Sequence, residues 1–180
     1  MPDILLVYGS THGHTVKLAA RMAQVLEGRG VAAHVHDTRT GSPPPPSGYD
    51  AVIVGASVHG GHHQAEVLDW VKRHRARLNE MPTALFSVSL TAADDTEESR
   101  RATREYIDDF LDDTGWIPRT TASFAGALQY REYDFVTRLV MRVLMRRAGH
   151  TTDVWRDHEY TDWDAVERFA RDCVAMAAEG

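Results

Sequence analysis

The chain has 180 residues, of which 43% are hydrophobic and 26% charged, a length and balance that suit one soluble domain with a substantial core. Its formal net charge of −6 excludes a general nucleic-acid binder, which is basic, and leaves small-molecule and protein partners. Cys173 is the only cysteine, which excludes an intramolecular disulfide framework and a thiolate metal cluster.

Short apolar runs alternate with helical patterns along the chain. Ile4–Val7 reads as a strand too short for a signal peptide's apolar region, and it follows Asp3 where a positive charge would stand. No stretch approaches the ~20 apolar residues of a spanning helix, so a cytoplasmic location is expected, with peripheral contact at the inner face of the cell membrane left open. Val16, Ala19, Ala20, Ala23 and Leu26 recur with helical spacing over Val16–Leu26. Val31–Val35 is a second strand. Gly41–Gly48, with four consecutive prolines, predicts a stiff surface loop.

Ala51–Ala56 predicts a third strand, Ala65–Leu78 a helix, and Thr83–Leu90 a fourth strand. Asp94, Asp95 and Thr96 give cap character to a helix over Glu97–Asp112, acidic in its first turn as the dipole favours. Thr121–Leu128 predicts a fifth strand, and Trp163–Ala177 a closing helix capped by Thr161 or Asp162. Cys173 in that helix reads as a small packing residue. Strands alternating with helices, and runs such as "AVIVGA" with no polar alternation, imply a parallel sheet covered on both faces. One further helix, Tyr133–Arg147, interrupts the alternation.

Open parallel sheets bind ligands at the carboxyl ends of their strands. The segments following the strands are therefore the candidate site: Ser10–Thr15, Ser57–His63, Thr91–Asp95 and Gln129–Tyr133. In the first, Ser10, Thr11 and Thr15 supply hydroxyls, and Gly13 lets the backbone come close. The helix that follows offers free N–H groups and a positive dipole end. No lysine is present, and the spacing is not G-x-G-x-x-G, which sets aside the triphosphate and dinucleotide loops. A monophosphate cradle and a plain N-cap turn both remain.

"GSTHGHT" resembles the phosphate loop of flavodoxins, which holds the phosphate of FMN. Ser10, Thr11, Gly13, His14 and Thr15 match, and His12 stands where a second hydroxyl is usual. The resemblance implies a flavodoxin-like, doubly wound α/β fold with five parallel strands in the order 2-1-3-4-5, and FMN held non-covalently. It places the isoalloxazine against Ser57, Val58, His59, Gly60 and Gly61 after the third strand, and Ser89, Leu90, Thr91 and Ala92 after the fourth.

Further along, "GASVHGGHHQ", "MPTALFSVSLTA", "AGALQY" and "TTDVWRDHEYTDWDAVERFA" are similar to the flavodoxin-like, quinone-dependent protoporphyrinogen IX dehydrogenases of bacteria. That family carries a helical insertion after the fifth strand, here about 130–158 within a single 1–180 domain. It implies oxidation of protoporphyrinogen IX in haem biosynthesis, with electrons passed to a quinone such as menaquinone. The alternatives are a flavodoxin-type electron carrier between protein partners and a non-redox phosphate-binding domain. The chain departs from the family at His59-Gly60, where an Arg-Tyr pair is expected, and at "TAADDTEE", where the family loop is basic. Both changes remove groups suited to carboxylates.

Arg138, Arg142 and Arg146 form one stripe on the inserted helix, beside a broad apolar face. Such a helix packs on the domain with a solvated edge, forms a lid or membrane-surface element facing the substrate or quinone, or makes a homodimer. His12, His14, His59, His62 and His63 crowd two loops expected to converge. No carboxylate or cysteine completes a ligand spacing, so no metal is expected. His59 is the candidate catalytic group, as a proton relay or a ring packed beside the flavin. Tyr130 and Tyr133 flank the site or pack beneath the insertion, and Trp155 and Trp163 read as core anchors.

Overall fold

Apolar residues that follow one another without alternation need cover on two sides, and "DILLVYG" obtains it. In the computed structural model, which describes residues 1–128 and 158–180, this stretch is β1 (Asp3–Gly9). Ile4, Leu6 and Tyr8 point into one apolar cluster, and Leu5 and Val7 into the other.

α1 (His14–Glu27), β2 (Ala32–Asp37), β3 (Ala51–His59), β4 (His62–His63), α2 (Ala65–Leu78) and β5 (Thr83–Ser89) follow in order. A 3-10 turn at Thr91–Ala93 leads to α3 (Glu97–Thr114) and β6 (Thr120–Ala125). The described chain ends with β7 (Ala127–Leu128), β8 (His158–Glu159) and α4 (Trp163–Ala178). The long strands run β2-β1-β3-β5-β6, all parallel, which is the expected 2-1-3-4-5 order of a flavodoxin-like sheet. α1 and α4 cover one face, α2 and α3 the other.

Packing at the sheet centre depends on the absence of one side chain. A Cβ at Gly55 in β3 would lie 2.1 Å from Cζ of Phe86. The Phe86 ring occupies that space, fully buried, with Phe124 at 6.1 Å and Phe169 at 6.2 Å between centroids. This aromatic trio joins β5, β6 and α4.

Several boundaries differ from the sequence expectation. Ser57, Val58 and His59 are strand rather than loop, because β3 continues into a hairpin. Gly60 (φ 59°) and Gly61 (φ 83°) turn it, and Val58 and His59 pair with His63 and His62. Both central residues at positive φ fit a tight primed turn, in which glycine carries no steric cost. The predicted Thr121–Leu128 strand breaks at Gly126. Its last two residues leave the main sheet to pair antiparallel with β8 (Ala127↔Glu159, Leu128↔His158). Pro43 and Pro46 of the expected surface loop are buried, so this segment covers apolar area while linking β2 to β3. Thr96 caps α3 by accepting from Ser99 N–H (3.1 Å), and Asp162 caps α4 through Ala165 N–H (3.1 Å). The helix expected over Tyr133–Arg147, with Tyr130, Arg138, Arg142, Arg146 and Trp155, lies outside the described residues.

The hairpin is fastened from beneath by His63. Its Nε2 hydrogen-bonds Ser87 Oγ at 2.8 Å, and its ring stands edge-on to Phe110 at 5.2 Å. Burial pushes its pKa down to about 4. Nearby His62 adds to this, while the Asp109 carboxylate opposes it.

Two outcomes are expected. Gly55→Ala destabilises the fold by about 1–3 kcal/mol through overpacking, and Phe86→Leu in the same chain recovers part of the loss; urea unfolding midpoints measure both. Because His63 binds a proton more weakly folded than unfolded, its contribution is complete above pH ~6.5 and is lost as pH falls toward about 4. In that window the wild type should lose up to about 1.4 kcal/mol per pH unit relative to His63→Gln. Parallel pH profiles for the two proteins would refute the assignment.

Candidate functional site

Parallel strands end together, so the segments after β1, β3 and β5 emerge on one edge. The β1–β3 ladder closes with Gly9 beside Ala56, which sets Ser10 and Ser57 side by side. The β3–β5 ladder ends with Ser57 beside Val88, bringing Ser89–Ala92 to the same edge.

The first loop runs from Ser10 to Gly13. Ser10 is buried, and its Oγ accepts the Gly13 N–H at 2.9 Å. The loop therefore closes on itself. Gly13 takes the left-handed conformation (φ 82°) as the N-cap of α1, with no capping side chain. A Cβ there would meet nothing within 4 Å. Among the four described α-helices, the first turn of α2 carries Glu66, that of α3 Glu97 and Glu98, and that of α4 Asp164; the first turn of α1 carries no acid. That end keeps the positive side of its dipole uncompensated. Thr11 is exposed, His12 and Gly13 are half-buried, and Thr15 is buried.

His14 is turned away from this opening. Thr161 Oγ1 donates to Ala125 O (2.8 Å), so it accepts the Nε2–H of His14 at 2.6 Å. This pair ties the start of α1 to the segment entering α4, and Trp163 packs on the same imidazole (6.3 Å). Trp163 is half-buried against the core.

The second segment meets the first through two contacts. His12 and His59 stand edge-to-face at 5.1 Å, so the expected convergence of the loops places these two histidines together. His62 is exposed on the hairpin, and His63 lies beneath it. The other contact comes from Gln64, which the sequence reading passed over. Its Oε1 accepts the Ser57 N–H at 3.0 Å. Its Nε2 reaches Thr11 Oγ1 at 3.1 Å and also contacts Ser57 Oγ. A Cβ at Gly9 would come within 2.6 Å of Val67 Cγ2 and 3.2 Å of Gln64 Oε1, so glycine there makes room for this side chain. The sequence signal was the glycine pair of "HGGHHQ": a two-residue hairpin returns whatever follows it to the preceding strand.

In the third segment, buried Ser89 accepts the Ala92 N–H at 3.2 Å, and Leu90 leads into the 3-10 turn at Thr91–Ala93. In the acidic run beyond it, Asp95 and Glu97 are paired with arginines. Arg100 contacts Asp95 at 2.5 Å and Glu97 at 3.6 Å, and Arg104 contacts Glu97 at 3.4 Å. These exposed pairs add little stability, but they set a positive charge beside Asp95 and Glu97. Among the described residues, no group of three or more His, Cys, Asp or Glu side chains is placed to hold a metal ion, and no helix is long and apolar enough to cross a membrane.

Comparison with known proteins agrees with this arrangement. A family model described as Flavodoxin domain matches residues 5–154. A protoporphyrinogen IX dehydrogenase (quinone) of Leishmania major is 36% identical over 176 residues, covering 97% of this chain and 76% of that protein. The protein of the same name from Escherichia coli K12 is 34% identical over 172 residues, covering 96% and 94%. Among solved structures, oxidised flavodoxin 1 from Bacillus cereus superposes with a TM-score of 0.57 at 16% identity, covering 96% of this chain and 97% of its own. The flavodoxin of Streptococcus pneumoniae TIGR4 gives 0.57 at 16%, covering 99% of each chain; both share the fold. The chain therefore belongs to the flavodoxin-domain family and, within it, to the group of the protoporphyrinogen IX dehydrogenases (quinone).

Proposed function

We propose that this protein is an FMN-dependent oxidoreductase that oxidises protoporphyrinogen IX and passes the electrons to a quinone. The observation that carries the reading is identity of 34–36% across 96–97% of the chain to relatives bearing that activity in their names. The site supports it by its donor set: an acid-free helix N-terminus, an open Gly13 backbone and an exposed Thr11 hydroxyl suit a phosphate group.

In this reading Ser10–Thr15 receive the FMN phosphate, with Ser10 holding the loop closed and His14 anchoring the helix start. Ser57–Gly61 and Ser89–Ala92 flank the isoalloxazine, and their backbone groups orient it. FMN, when bound, supplies the capacity to accept a hydride and return its electrons to a second substrate. His59, the exposed imidazole at the edge of the opening, is the candidate to take a proton released from the porphyrinogen. Arg138, Arg142 and Arg146, which fall outside the described residues, are the candidates for the substrate's carboxylates or the membrane surface that supplies the quinone. A carrier that docks basic proteins through an acidic rim is less well supported, because Asp95 and Glu97 are already paired with Arg100 and Arg104.

The purified protein, reconstituted with FMN under anaerobic conditions, is expected to retain a flavin absorbance band and lose it on addition of protoporphyrinogen IX. Menaquinone should restore it. Retention of flavin with no bleaching by the porphyrinogen would move the protein to the carrier reading, and failure to retain flavin would overturn the cofactor. Replacing Arg138, Arg142 and Arg146 together by Gln is expected to raise KM for the porphyrinogen by ~10-fold or more, as loss of charge-assisted bonds implies, with FMN affinity unchanged.

A further inference from the structure

The Gln64 side chain bridges two strands' ends, and its orientation can be fixed from its partners. Ser57 N–H can only donate, so the atom 3.0 Å from it is the amide oxygen. The amide nitrogen therefore faces the hydroxyls of Thr11, at 3.1 Å, and Ser57. An amide nitrogen only donates, so both hydroxyl oxygens accept from Gln64. Each hydroxyl keeps its own proton, and that proton points away from Gln64.

Resting on the FMN reading above, we infer that Gln64 is a positioning residue that sets Thr11 and Ser57 as hydrogen-bond donors toward the flavin nucleotide. A rotatable hydroxyl otherwise donates or accepts with little preference. A phosphate presents only acceptors at its charged oxygens, so a Thr11 proton held outward is already in the state that the ligand requires. Gln64 thereby lowers the cost of ordering the cradle, the usual route by which preorganisation raises affinity. It acts through its neighbours Thr11 and Ser57. The placement is specific: Gly9 leaves the space that the amide occupies, and the Gly60–Gly61 turn brings the residue back from the hairpin. Gln64 precedes α2 as its N-cap without using its side chain to cap the helix. The side chain is thus committed to the loops, and its replacement leaves α2 intact.

The test uses full-length apoprotein titrated with FMN and with riboflavin, which lacks the phosphate, followed by quenching of flavin fluorescence. Gln64→Glu keeps an oxygen for the Ser57 N–H but turns the side chain into an acceptor, which reverses the Thr11 hydroxyl. It should narrow the preference for FMN over riboflavin by ~10-fold or more, as expected for loss of a hydrogen bond to a charged group. Gln64→Met removes the constraint without reversing it and should narrow the preference by about 3-fold. Added charge near the phosphate would also weaken FMN, so the pair is repeated with Thr11→Val. There Gln64→Glu should narrow the preference by less than about 3-fold. Equal narrowing with and without the Thr11 hydroxyl, or none in either, overturns the inference while FMN binding by the wild type still stands. A wild type that binds neither flavin fails at the cofactor reading and takes this inference with it.

Discussion

The register between β1 and β3 is the constraint on which the site depends. Adjacent strands lie about 4.8 Å apart, and pairing Gly9 with Ala56 leaves the next residues of each chain at that separation above the sheet edge. A slip of one residue would turn every β1 side chain to the opposite face, and this strand has no face that tolerates the exchange, because Ile4 to Val7 are fully buried. The core thus holds the register, and the register holds the distance between the loop after β1 and the hairpin.

That arrangement explains why small and polar residues at the edge stay where they are. Ser10 ties its own loop, His14 grips Thr161, Gln64 spans Thr11 and Ser57, and His63 holds the hairpin to Ser87. Each bond joins segments that the sheet has already brought close, so little chain entropy is spent in making it. The opening is left to the backbone of α1 and to groups with protons to donate. An acidic run lies nearby, in which Asp95 and Glu97 are matched by Arg100 and Arg104.

The strands were legible in the sequence because apolar runs and glycine-rich turns act locally, whereas their order followed from the resemblance of "GSTHGHT" to a flavodoxin loop. "AVIVGA" needs burial on both faces wherever it sits, and a hydroxyl- and glycine-rich loop between a strand and a helix is visible residue by residue. The hairpin was less legible. Ser57–His59 read as loop because polar residues end the apolar run, while the pairing that makes them strand depends on a return two residues later. Gln64 was missed for the same reason: an exposed-looking amide before a helix acquires its role only through Ser57 and Thr11, distant in sequence. The break at Gly126 was hidden by continuing small apolar residues, since nothing in "TASFAGAL" announces a change of partner.

The short ladder between β7 and β8 reaches beyond its two residue pairs. Because Tyr160 N–H also bonds Gly126 O at 3.2 Å, residues 126–128 and 158–160 lie side by side. The two ends of the intervening stretch are therefore pinned together by the fold itself. The entropy of closing such a stretch grows only slowly with its length, so residues can be gained or lost there at small thermodynamic cost. Length and sequence can therefore vary between these two points while the five long strands keep their register.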